Sequence, residues 1–186
     1  MGLLLAGILL WSGVHYIPGF LPNLKINLVE KLGKAYRGLF SLTVVLSIVM
    51  MVFGWKSSVP EMVYMLPEWS YSVTRLLMFL AFFLLGAAHA KVNIKRVIRH
   101  PMLSGIIVWS GAHLLSNGDN RSIILFGGMM IWAVVEILII NKRDGEWQKA
   151  EKTPLKNDIR VAIITVVVYM VFSFAHPYIA GVPVMS

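Results

Sequence analysis

Five histidines and one carboxylate carry most of the chemistry this 186-residue chain could perform. His15, His113, His176 and Glu136 fall within or at the ends of long apolar runs, and His89 and His100 flank a basic segment. An ionisable side chain in hydrocarbon costs several kcal/mol unless it is paired or faces a protein interior, so each is a functional candidate by default. Imidazole is the versatile group here, because it ligates metals and moves protons near neutral pH. Two imidazoles at comparable depth on different helices are what a haem or metal between helices requires. The chain has no cysteine, which removes disulfides, thiolate-held zinc, iron–sulfur clusters and any cysteine nucleophile. The doublets Met50-Met51 and Met129-Met130 offer thioethers, for which packing is the simpler use.

The elements that must position these groups are membrane helices. Hydrophobic residues make up 58% of the chain, charged residues only 14%, and the mean hydropathy is +0.74. A soluble domain of this length could not cover so much apolar surface. The expected fold is an all-α, polytopic transmembrane bundle forming a single domain over residues 1–186. Six apolar stretches can be drawn: Gly2 to Ile17, Leu39 to Trp55, Val73 to His89, Met102 to Leu115, Ile123 to Ile140 and Val161 to His176. A crossing takes ~17–25 residues. The first and fourth are short by that measure, so about six spans are expected, with five plus a re-entrant segment as the alternative.

Loop charge sets the orientation. Lys25, Lys31, Lys34 and Arg37 lie in the first loop, and Lys91, Lys95, Arg96 and Arg99 in the third. The fifth holds Lys142, Arg143, Lys149, Lys152, Lys156 and Arg160, leaving only Lys56, Arg75 and Arg121 elsewhere. The positive-inside rule then places odd loops in the cytoplasm and both termini outside. The same distribution explains the net charge of +8 without nucleic acid, which needs a continuous basic patch. Trp11, Trp55, Trp69, Tyr71 and Tyr178 fall near proposed span ends, as interfacial aromatics do. Pro18 and Pro22 should close the first helix, and Pro60 and Pro67 should keep the second loop irregular.

Depths follow from ~1.5 Å rise per residue. From the cytoplasmic face His113 lies at roughly 18 Å, His176 at roughly 22 Å, and His15 and Glu136 near about 10 Å. Depth alone therefore pairs His113 with His176. His89 and His100, beside Lys91, Arg96 and Arg99, read as interfacial groups in contact with lipid headgroups. His176, followed by Pro177, also reads as a helix terminator.

The run Arg99-His100-Pro101-x3-Gly105-x3-Trp109-x2-Ala112-His113 is more specific. With Gly33-Lys34-Ala35-Tyr36-Arg37-x-Leu39-Phe40 and Phe174-Ala175-His176-Pro177-x3-Gly181, it resembles the NnrU family of membrane proteins over nearly the whole chain. That family is associated with nitric oxide reduction and denitrification in bacteria. The run is also similar to the related 15-cis-zeta-carotene isomerases, which bind haem b through two histidines. The resemblance implies haem b here, with His15 and His113 as axial ligands to the iron and Arg37 and Arg99 available to its propionates. Of the two possible pairs, this one is preferred to the pair that depth suggests. Ser110 stands where the isomerases carry a cysteine thought to exchange as an iron ligand.

Expected partners are the lipid bilayer and a redox partner or nitrogen-oxide reductase system, in a bacterial inner membrane. Two alternatives belong to other classes. One is a haem-dependent isomerase of a polyene. The other is a methyltransferase similar to the isoprenylcysteine type, with His100, Glu136 and the basic loop from Lys142 holding S-adenosylmethionine.

Overall fold

Backbone amides in hydrocarbon find no water, so long apolar runs close their hydrogen bonds internally as helices. The structure, a computed structural model, describes residues 1–181 and 184. Helix α1 is Gly2–Phe20, and a short α2 follows at Pro22–Leu32. Pro18 lies inside α1 instead of ending it, and Pro22 opens α2 at a position where its missing N–H costs nothing. The chain leaves α2 at Gly33, whose φ of 53° suits glycine. Helices α3 (Ala35–Ser57) and α4 (Trp69–Ala88) are separated by the irregular Pro60–Pro67 segment, as expected. A 3₁₀ turn at Asn93–Arg96 leads to α5 (Pro101–Leu114). Helix α6 spans Asn120–Asp144 with a π-helical turn at Ile123–Gly127, and α7 is Leu155–Ala180.

Among the described residues five helices are long and apolar enough to cross a membrane: α1, α3, α4, α6 and α7. The expected polytopic all-α bundle is borne out, and the count is the five that the sequence allowed as its alternative, with one shorter apolar helix besides. The fourth apolar stretch, α5, has 14 residues and a length of ~21 Å, because Pro101 starts it and the chain turns away after Leu114. It nevertheless runs antiparallel along α4. A Cβ at Gly105 would touch Ala81 and Leu84, and Thr74 donates to the Ala112 carbonyl at 3.0 Å.

The start of α1 and the end of α7 lie at one end of the bundle. The Met1 amino group donates to Ser58 Oγ at 2.7 Å, beside the end of α3, and Tyr169 of α7 reaches the Arg75 carbonyl at the start of α4. The opposite end gathers the basic loops. There Asn93 bonds Asp158 and Thr153, Asn157 bonds the Lys91 carbonyl, and Arg99 donates to the Gly145 carbonyl at 2.8 Å.

Lipid tails are as apolar as leucine, so close packing, not exclusion from water, must join the helices. Gly54 and Gly7 provide it between α1 and α3: a Cβ on Gly54 would overlap the Leu4 backbone, and one on Gly7 would press on Met51 and Ser47. The main core contains Leu4, Ile8, Met51, Leu103, Met129, Trp132 and Ala133. At the end where α1 starts, two loops are clasped together. Asp119 caps α6 by accepting from the backbone N–H groups of Arg121 and Ser122 and from the Ser122 hydroxyl. Val63 and Tyr64 donate to the Gly118 carbonyl, and the Tyr64 hydroxyl donates to the Leu114 carbonyl. Arg121 stands 4.4 Å over the Trp55 ring.

Candidate functional site

Helix α5 carries Trp109 and His113 one turn apart, and α1 carries Trp11 and His15 at the same spacing. Each imidazole Nδ1 bonds the carbonyl of its own tryptophan, at 3.0 Å for His113 and 2.7 Å for His15. A carbonyl only accepts, so Nδ1 carries the proton and a neutral ring leaves its lone pair on Nε2. Metal-bound histidines are oriented in this way. The local sequences match as well: Trp11-Ser12-Gly13-Val14-His15 and Trp109-Ser110-Gly111-Ala112-His113 share the pattern Trp-Ser-Gly-x-His. That repeat was legible in the sequence and is the signal that singles out both tryptophans.

The two boxes are built from different walls. His113 stacks on Phe126 at 4.3 Å between centroids and 22° between planes, with Trp109 at 5.0 Å. Phe126 belongs to the π turn of α6, a feature that often marks functional positions. His15 is tilted against Trp11 at 4.5 Å and meets Trp132 of α6 at 5.2 Å and Phe40 of α3 at 5.4 Å. Phe126 and Trp132 are six residues apart on α6, which puts the boxes at levels ~9 Å apart along the bundle.

His113 has a second imidazole beside it. The His176 ring of α7 lies 6.5 Å away, inclined by 29°. Among the sequence-predicted residues, these two are brought together. His15 instead packs against Trp132, and Glu136 follows that tryptophan by one helical turn. Tyr16 donates to the Trp132 carbonyl at 3.3 Å. The Nε1–H groups of Trp11 and Trp132 and the Oε2 atom of Glu136 are buried without a hydrogen-bond partner. Trp11 is therefore part of an interior box and not the interfacial anchor its position suggested.

The cytoplasm-facing candidates of the sequence reading lie apart from both boxes, at the basic end. Arg99 and His100 border a cleft between the ends of α4 and α6, where His100 bonds Asn141 at 2.9 Å. Arg37 is exposed at the start of α3. Arg99 spends one N–H on the Gly145 carbonyl. Ser110, fully buried, has no hydrogen-bond partner for its hydroxyl.

By donor type the residues suit a haem iron: His15 and His113 each hold Nδ1 to a carbonyl and leave Nε2 for ligation, in boxes at different levels, and the His176 imidazole lies beside His113. The unmet indole donors beside His15 suit a group that brings its own oxygen acceptors. Among the described residues no group of three or more His, Cys, Asp or Glu has the arrangement of a bare metal site.

No curated protein and no solved structure matches the chain. The family model described as NnrU protein matches residues 3–184, through all five long helices and both histidine boxes. This chain belongs to the NnrU family of integral membrane proteins.

Proposed function

We propose that this NnrU-type membrane protein binds haem b between its helices through His113 and serves nitrogen-oxide reduction. The observation that carries the reading is the shared device of His15 and His113: Nδ1 tied to a tryptophan carbonyl, Nε2 left as the ligating atom. His113 is common to both candidate pairs, with His15 from the family resemblance and His176 from proximity. When bound, haem b would supply one-electron redox chemistry and an iron able to take a diatomic such as nitric oxide.

The chain's own residues set the terms of that binding. The Trp109 and Trp11 carbonyls hold the rings in one tautomer and raise the basicity of Nε2. Phe126 stacks on the His113 ring and Trp132 meets the His15 ring edge to face, which fixes how each ring can turn. On this reading the end where the basic loops gather faces the cytoplasm of a bacterial inner membrane, in keeping with the positive-inside rule. A redox partner that exchanges electrons with the haem completes this reading.

The test is an absorption spectrum of full-length protein purified in mild detergent and loaded with haem b. A Soret band with resolved visible bands on reduction is expected, lost in His113→Ala. A Soret band of unchanged position and intensity in His113→Ala overturns the assignment.

A further inference from the structure

A cleft of 480 Å³ opens at the basic end, between the last turn of α4, the first turn of α5 and the segment after α6. Its polar wall holds His89, Lys95, Arg99 and His100, and no carboxylate lines it. Its other wall is apolar, made by Met102, Leu103, Ile140 and Trp147. Lys95 donates to the Ala88 carbonyl at 2.7 Å and Arg99 to the Gly145 carbonyl at 2.8 Å, so both cations are held at the rim. Each retains further N–H donors, since an ammonium has three and a guanidinium five. Asp144, the carboxylate that faces Arg99 and His100, is tied to Arg143 by bonds of 2.6 and 3.2 Å. Helix α5 also begins here with no side chain capping it, which adds the partial positive charge of its first N–H groups.

We propose that this cleft binds the phosphate headgroup of an anionic phospholipid drawn from the leaflet at the basic end. Three features select that occupant. The cationic wall without a lining carboxylate requires an anion. The adjoining apolar wall requires that the anion be attached to something hydrophobic. The level, where α4 ends and α5 begins, is that of the headgroup layer. The volume suits a headgroup and glycerol, with acyl chains leaving past the exposed Met102 side chain. A smaller cleft of 310 Å³ beside it repeats the pattern, with Lys91 and Arg160 above Val161 and Ile164. The inference does not depend on haem, and its test needs none.

The experiment titrates full-length, detergent-purified protein with phosphatidylglycerol, phosphatidylcholine or inorganic phosphate, read by native mass spectrometry and thermal melting. Phosphatidylglycerol should bind and raise the melting temperature, while the other two should not. Lys95→Gln and Arg99→Gln should each weaken that binding roughly fivefold. Lys25→Gln and Lys31→Gln, on α2 at the same end but outside the cleft, should leave it unchanged. Met102→Trp, which fills the apolar wall and keeps every charge, should weaken binding too, and it stands in if Arg99→Gln fails to fold. Equal binding of the two lipids overturns the proposal. Tight binding of inorganic phosphate overturns the lipid and points to a water-soluble phosphate ester. An effect of the α2 variants as large as that of Lys95→Gln reduces the site to diffuse surface charge and also overturns it.

Discussion

The imidazoles of His113 and His176 lie 6.5 Å apart and within 29° of parallel, although 62 residues, including the whole of α6, separate them in the chain. That relationship makes His113 the hub of the candidate site, because it links the aromatic box of α5 and α6 to the last helix. It also frames the choice between two ligand pairs.

The first prediction resolves that choice. In haem-loaded protein, His113→Ala should cost more than the roughly 10–100-fold typical of losing a supporting partner. Of His15→Ala and His176→Ala, the one that removes the second axial ligand should retain haem but shift the spectrum to a five-coordinate, high-spin form. If both variants keep an unchanged low-spin spectrum, neither histidine is the second ligand.

The clasp at the end where α1 starts should be sensitive to acid. Burial alone would raise the Asp119 pKa, but bonds from the Ser122 hydroxyl and backbone and from Arg121 outweigh it and hold the carboxyl below its ordinary value. A carboxyl lowered on folding contributes stability that is complete above the unfolded pKa and is lost as pH falls through the lowered one. Asp119→Ala should cost about 1–2 kcal/mol at neutral pH, mainly from the lost cap, and less in acid. Thermal melts over an acid series check this; a cost that grows as pH drops contradicts it.

Two glycines on the same molecule should respond oppositely to alanine. A Cβ at Gly118 would overlap the Tyr64 carbonyl oxygen, so Gly118→Ala should destabilise by roughly 1–3 kcal/mol. Gly13, inside α1 with nothing near its missing Cβ, should gain up to about 1 kcal/mol from the better helix former. Melting temperatures in detergent give both signs directly.

Because the chain has no native cysteine, orientation can be read from single introduced ones. With the basic loops in the cytoplasm, Met65→Cys should react with an impermeant maleimide in intact cells. Lys149→Cys should react only after permeabilisation. The reverse pattern would invert the topology.

Much of this molecule was legible in its residues. Apolar runs fixed the helices to within a few residues, and loop charge predicted which loops share an end, as the Asn93–Asp158 and Arg99–Gly145 contacts bear out. The motifs from Gly33 to Gly181 pointed to the family. The shortness of α5 was legible too, since the stretch drawn from Met102 to Leu115 lies within a residue of the observed Pro101–Leu114, while the short α2 was not drawn from the sequence at all.

The sequence by itself determined a membrane-embedded helical bundle, its basic end and two histidines tied to their own tryptophans, since hydropathy, charge and one-turn hydrogen bonds act within a few residues. Tertiary structure alone decided that His113 meets His176, that Trp11 turns inward and that Lys95 and Arg99 line one cleft. Those outcomes depend on how each helix is rotated about its axis. Lipid and protein interior are equally apolar, so hydrophobic periodicity, which tells a water-facing side from a buried one in soluble proteins, leaves that rotation undefined here.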